Sequence, residues 1–458
     1  MEDVVAPEQT EWKTRSGFVL ATIGSAVGIG SIWKFPYEVG ANGGGAFVLV
    51  YVVGLGLVVV PMMLAEFAIG RRGRSDAATS IEIVAASESA SPRWRVVGVL
   101  GALTSFLILS FYAVIGGWAV FYALNTLVHG LPGGPAAVQE QFDGLLASAI
   151  RMGAFQAVFL GAVAIVVLRG VQRGIESSMK VLMPLLAALL TALAVYSMTT
   201  GDAEEALRFL FVPDLDHLTG RGVLDALGLG FFSIGVGLGI LLTYAAYSPP
   251  SVGLKGAAIA SVAGDTAVSL LAGLAIFPVV FANDVDPASG PGLAFVSLPL
   301  AFDAMPGGRW AATTFFAMLA IAAIGSAISM LEAVVAVMER RFGWSRSRGT
   351  VASAAACFVV GLATVFSFNH WADVHPLGSI GRYADATVFD LLDDLTSQVL
   401  LPLGGLALAV FVAWVLPIRF LGDALALRGR PLVGLRVTLR VIAPALVIAA
   451  AIASLLSR

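Results

Sequence analysis

Residues 24–47 read GSAVGIGSIWKFPYEVGANGGGAF. The stretch lies inside an apolar run long enough to cross a bilayer, yet Gly24, Ser25, Gly28, Gly30 and Ser31 interrupt it at its centre. In hydrocarbon every backbone N–H and C=O needs a partner, so an interrupted helix is tolerated only where the freed groups are buried in protein or line a cavity. A second interruption, FFSIGVGLG at residues 231–239, lies five apolar segments further on. Glycine-broken segments at corresponding places in two halves of a chain point to a transporter site built on discontinuous helices. There the N-termini of half-helices offer N–H groups to a carboxylate, and unwound carbonyls hold a cation.

The rest of the chain has the character such a site requires. Of its 458 residues 58% are hydrophobic and 12% charged, whereas a soluble domain is about 25% charged. Eleven segments reach the roughly 20 apolar residues needed to span a bilayer, at about 16–38, 45–70, 96–128, 152–169, 175–198, 222–247, 254–282, 309–339, 350–368, 385–417 and 433–456. Longer polar loops are expected near 129–151, 199–221 and 283–308. The basic residues collect on alternate connections, among them Lys13, Arg71, Arg72, Arg74, Arg93, Arg95, Arg340, Arg341, Arg346 and Arg348. The positive-inside rule therefore puts the N-terminus in the cytoplasm and, with eleven spans, the C-terminus outside a cell (inner) membrane. The leading MEDVVAPEQTEWKTR lacks the basic and apolar regions of a cleavable signal.

Other classes are disfavoured. A formal net charge of −3 with dispersed basic residues argues against nucleic acid as a partner. Cys357 is alone, and the 4 histidines, His129, His217, His370 and His375, are scattered through loops, so neither a disulfide nor a metal enzyme is expected. Nothing calls for an obligatory protein partner.

EWKTRSGFVLATIGSAVGIGSIWKFPYEVGANGGGAF resembles the first span and following loop of the neurotransmitter:sodium symporter family. PMMLAEFAIGR, FYAVIGGW, FFSIGVGLGILLTYAAY and AAIGSAISMLE match further pieces in order, in spans two, three, six and eight. The resemblance covers nearly the whole chain. It implies an all-α membrane protein with a 5+5 inverted repeat and broken helices 1 and 6, forming a single transporter domain. The first repeat would cover about 12–198 and the second about 222–417, with an additional helix at about 433–456.

The resemblance also implies a site. The substrate amino acid would sit between the two breaks, its carboxylate on the backbone of Gly28, Ile29 and Gly30 and on the hydroxyl of Tyr112. Ile108, Phe232, Ser233, Gly235, Leu238, Ser326 and Met330 would surround its side chain, with Ser329 nearby. Monoamine carriers have an aspartate where Gly28 stands, so an amino acid is expected rather than an amine. Sodium, one or two ions, is the expected coupling ion. Its first site would use Ala26, Ser31, Ser233 and Asp265, two of them departures, because the family has asparagine where Ser31 and Asp265 stand. Its second would use Gly24, Val27, Ala322 and Ser326, weakened because Gly325 replaces a hydroxyl residue. Asp265 lies one helical turn before Ser269, close to where chloride-dependent members hold their anion beside a position matching Tyr51. No chloride requirement is expected.

Lys34 and Asp393 would form the outer gate together with Tyr112 and Phe232, and Glu66 would support unwound backbone. On the inner side the usual arginine and acid are replaced by Gln9 and Arg340, although Trp12 is kept. Glu332 has no role that the sequence assigns. The function expected is sodium-coupled import of a neutral, bulky hydrophobic amino acid by alternating access, without an enzymatic step. Two alternatives stand beside it: a proton-coupled transporter of the same fold using Asp265, and a membrane sensor that binds an amino acid without transporting it.

Overall fold

The computed structural model describes residues 11–216, 218–283 and 293–456. Gln9 and His217, both singled out above, lie outside the described residues. Among these residues the chain is helical, and the isolated bridge pairs Gly44 with Pro213.

Among the described residues nine helices are long and apolar enough to cross a membrane: Gly45–Gly73, Pro92–His129, Ala149–Leu168, Val171–Thr200, Leu254–Ala282, Gly308–Phe342, Arg346–Ser367, Val388–Val415 and Arg430–Ile452. The other two expected spans are the broken ones. The first is split into Arg15–Ala26 and Gly30–Ala41, bent by 55°. The sixth is split into Gly220–Ile234 and Ile240–Ala246. The loops hold more order than their polarity suggests, with further helices at Pro135–Leu146 and Ala203–Phe211. Ala203–Phe211 folds because Asp202 caps it, accepting the Glu205 N–H at 3.0 Å. Its Ala206 and Leu210, four residues apart, are buried on one face.

The third and eighth spans form the centre of the bundle: 72% and 83% of their most apolar windows are buried, against 17% for the eleventh, which lies at the periphery. The segment before the first half-helix is pinned below the sixth span. Trp12 donates its indole N–H to the Tyr244 carbonyl at 2.8 Å and its backbone N–H to the Tyr247 carbonyl at 3.0 Å. Glu176, buried at the start of the fifth span, receives the Lys13 N–H at 2.7 Å, the Thr14 hydroxyl at 2.7 Å and the Lys180 ammonium at 2.6 Å.

The sixth-span break is a left-handed zigzag. Gly235, Gly237 and Gly239 have φ of 71°, 90° and 74°, a region that costs an L side chain roughly 1–2 kcal/mol. A Cβ on Gly237 would also stand 2.8 Å from the Gly405 backbone nitrogen of the tenth span. Gly228, within the preceding half-helix, has open space around it. Gly237→Ala should therefore lower stability by about 2–5 kcal/mol from strain and overpacking, while Gly228→Ala should be neutral or stabilising. Thermal melts of the purified proteins in detergent check this, and equal melting temperatures for the two variants would contradict it.

Candidate functional site

The first half-helix stops because Val27, at φ −73° and ψ 107°, is extended, and helical turns resume at Gly30. The Ile29 N–H freed by this break donates to the Tyr112 hydroxyl of the third span at 3.1 Å. The Val27 carbonyl accepts the Ser326 hydroxyl of the eighth span at 3.1 Å, and the Ser25 carbonyl accepts it at 3.3 Å. A Cβ on Gly28 would fall 2.5 Å from Ser326 Oγ and 2.8 Å from the Tyr112 hydroxyl. Glycine is thus the residue that lets first-span backbone approach both hydroxyls.

The second break is held in the same manner. Glu66 of the second span accepts the Gly237 N–H at 2.6 Å, and Ser105 of the third donates to the Leu238 carbonyl at 2.9 Å. Glu66 was legible in the sequence as backbone support. Ser105 was not, because a serine within an apolar helix carries no sign of which carbonyl it will meet.

A cavity of about 40 Å³ lies between the breaks. Gly28, Gly30, Ile108, Tyr112, Phe232, Ser233, Gly235, Leu238, Ser326 and Met330 line it, joined by Ser25, Ala26 and Ile240. Of the expected substrate contacts Ile29 alone is off its wall, although its N–H meets the Tyr112 hydroxyl there. Ser329 faces elsewhere, accepting the Tyr244 hydroxyl at 2.7 Å. The volume suits a few waters, at roughly 10–15 Å³ each. It is far below the ~300–1,000 Å³ of small-molecule pockets, so a bulky ligand requires the wall to move.

Beside the cavity, wholly buried Asp265 gathers hydroxyls from three other helices. Its Oδ1 accepts from Ser31 at 2.6 Å and Ser233 at 2.9 Å, and its Oδ2 accepts from Tyr51 at 2.8 Å. The Ser31 and Ser233 oxygens are 3.1 Å apart. Charge-assisted hydrogen bonds of this kind are the stronger ones, and three of them hold a carboxylate where burial would otherwise be costly. The oxygens also form a compact hard-ligand cluster suited to a small cation.

The other expected cation position is poorer in oxygens. A Cβ on Gly325 would lie 3.0 Å from the Gly24 carbonyl oxygen and 3.3 Å from Met183 Cε, and one on Gly24 would lie 2.7 Å from Met179 Sδ. Where a hydroxyl would face the Gly24 carbonyl, glycine leaves none, and thioethers pack alongside.

The gates differ from expectation. Lys34 forms no ion pair with Asp393: its ammonium sits 4.9 Å from the centroid of the Phe232 ring, and Asp393 accepts from Ser397 on its own helix at 2.9 Å. A flexible ammonium over an aromatic face gains cation–π energy without the planar fork by which an arginine grips a carboxylate. At the basic end Arg340 is exposed, and an ion pair forms instead at buried Glu332, which the sequence left without a role. Glu332 pairs with Arg346 at 2.5 Å and accepts the Tyr247 hydroxyl at 3.0 Å. Arg346 also meets Glu339 at 3.4 Å and donates to the Val167 carbonyl at 2.8 Å. One guanidinium thereby joins the fourth, eighth and ninth spans, with the end of the sixth attached through Tyr247.

With the geometry in place, comparisons with known proteins agree on one family. The model of the sodium:neurotransmitter symporter family matches residues 9–143 and 147–458. The chain is 38% identical to the uncharacterized sodium-dependent transporter YhdH of Bacillus subtilis, over 88% of this chain and 87% of that one. It is 30% identical to an uncharacterized sodium-dependent transporter of Haemophilus influenzae, over 89% and 90% of the two chains. The crystal structure of MhsT in complex with L-phenylalanine superposes with a TM-score of 0.88 at 40% identity, covering 97% of this chain and 99% of that one. The protein is accordingly a transporter and not an enzyme: it belongs to the sodium:neurotransmitter symporter family.

Proposed function

We propose that the protein imports a bulky, neutral, hydrophobic amino acid across the cell membrane, driven by sodium and independent of chloride. The observation that carries this reading is the cavity between the two breaks, where the Tyr112 hydroxyl meets the Ile29 N–H and the remaining wall is largely apolar. A substrate carboxylate would take the Tyr112 hydroxyl and the N–H groups exposed at the start of the Gly30–Ala41 half-helix. The ligand named for MhsT, L-phenylalanine, supports the size class. So do Gly235 and Gly237 on either side of Val236, which allow the wall to yield. Sodium would enter the oxygen cluster at Asp265, the hydroxyls of Ser31 and Ser233 turning from donors to the carboxylate into ligands of the ion. The single transporter domain would comprise repeats at about 12–198 and 222–417 with a further helix at about 433–456, the N-terminus inside and the C-terminus outside.

The deciding experiment is uptake into proteoliposomes under an imposed sodium gradient, with competition by unlabelled amino acids. Leucine, phenylalanine and tryptophan should displace the substrate more strongly than glycine or alanine. The reverse order would refute the wide-pocket reading. Uptake driven by a proton gradient in the absence of sodium would identify the proton-coupled alternative, and binding without uptake the sensor.

Tyr112→Phe removes one hydroxyl, leaving the packing of the ring intact and the Ile29 N–H unpaired, at a cost of about 1–3 kcal/mol. Substrate binding should weaken about tenfold, measured by equilibrium binding at saturating sodium. Unchanged affinity would remove Tyr112 from the site.

Chloride independence rests on the Asp265 carboxylate, which already supplies a fixed negative charge and holds Tyr51 by its hydroxyl. Replacing chloride with gluconate should leave wild-type uptake unchanged, whereas Asp265→Asn should abolish uptake or make it chloride-dependent. Wild-type uptake that stops in gluconate would overturn the assignment.

A further inference from the structure

A groove of about 550 Å³ opens on the outside of the bundle at its basic end, between the third, eighth and ninth spans. Leu103 and Phe106 line it from the third span, buried Val334 and Val337 from the eighth and exposed Ala356 from the ninth. The ninth span contributes small side chains to this lining, Ala352, Ser353 and Ala356. Leu103 is 47% exposed and Phe342, at the mouth, 61% exposed, so the surface faces the hydrocarbon.

The mouth is not apolar. Arg341 lines it beside Trp344, and the Arg348 guanidinium lies 4.6 Å from the centroid of the Trp344 ring. Among the described residues the acids of this region, Glu332 and Glu339, are taken by Arg346, leaving Arg341 and Arg348 without an acidic partner. From Val334 to Phe342 the helix rises about 12 Å, close to the ~15 Å of hydrocarbon in one leaflet. Tryptophan beside arginine is the composition of the headgroup level.

We propose that this groove is a binding site for an anionic phospholipid, one acyl chain lying along Leu103, Val334 and Ala356 with the phosphate at Arg341 and Arg348. A groove open to hydrocarbon takes up a chain rather than water, and the guanidinium pair selects the head. A phosphodiester without a compensating ammonium satisfies both arginines, whereas a zwitterionic head brings a cation up against them.

The test is native mass spectrometry of the purified protein in mild detergent with equal amounts of phosphatidylglycerol and phosphatidylcholine of identical chains. One phosphatidylglycerol should be retained over phosphatidylcholine by about fivefold or more. Arg341→Gln should reduce that ratio towards one, and Ala356→Phe, which narrows the groove from the ninth-span side, should reduce retention of both lipids. Equal retention of the two lipids by the wild-type protein would overturn the proposal, and this comparison needs no variant to fold. A preference that survives Arg341→Gln, retention unaffected by Ala356→Phe, or a dimer that excludes both lipids would overturn it as well.

Discussion

Everything at the centre of this protein depends on satisfying the backbone groups that two broken helices release in a medium without water. Each group named above has a specific partner from another span: Tyr112 for the Ile29 N–H, Ser326 for the Val27 carbonyl, Glu66 for the Gly237 N–H and Ser105 for the Leu238 carbonyl. These bonds hold the first and sixth spans against the second, third and eighth. They also shape the cavity, where Tyr112 and Ser326 present hydroxyls beside Ser25 and Ser233. The Tyr112 hydroxyl, accepting from the Ile29 N–H, keeps its own hydrogen free to donate.

The Asp265 cluster applies the same economy to charge. A buried carboxylate is tolerated where hydroxyls converge on it, and Ser31, Ser233 and Tyr51 bring the first, sixth and second spans to one point of the seventh. The opposite holds beside Gly325, where thioethers and a missing hydroxyl leave carbonyls and Ser326 as the available oxygens. Of the two expected cation positions, the one at Asp265 is therefore the better built.

At the basic end a different device closes the bundle. Buried Glu332 and partly exposed Arg346 bind each other and reach Tyr247, Glu339 and the Val167 carbonyl, while Trp12 pins the N-terminal segment to the neighbouring carbonyls of Tyr244 and Tyr247. Removing Arg346 would strand the buried Glu332 charge, which costs about 3–5 kcal/mol. One guanidinium thus ties the fourth, eighth and ninth spans at this end, with the sixth attached through Tyr247.

The sequence by itself determined the membrane class, the extents of the spans, the two breaks and, through family resemblance, most of the residues around the cavity. Those features are local: hydropathy over about 20 residues, glycines that alone accept positive φ, and motifs contiguous along the chain. Short helices such as Ala203–Phe211 escaped notice because their apolar faces are two residues wide and gain meaning only against a neighbour. Pairings across the bundle were beyond the sequence for the same reason. Lys34 and Asp393 are both present, yet the lysine lies over Phe232; Glu332 and Arg346 stand 14 residues apart, and helix packing decides that they meet. Residue type sets what a side chain is able to bond, but in a bundle of spans its partner is chosen by rotation and depth, which only the tertiary structure supplies.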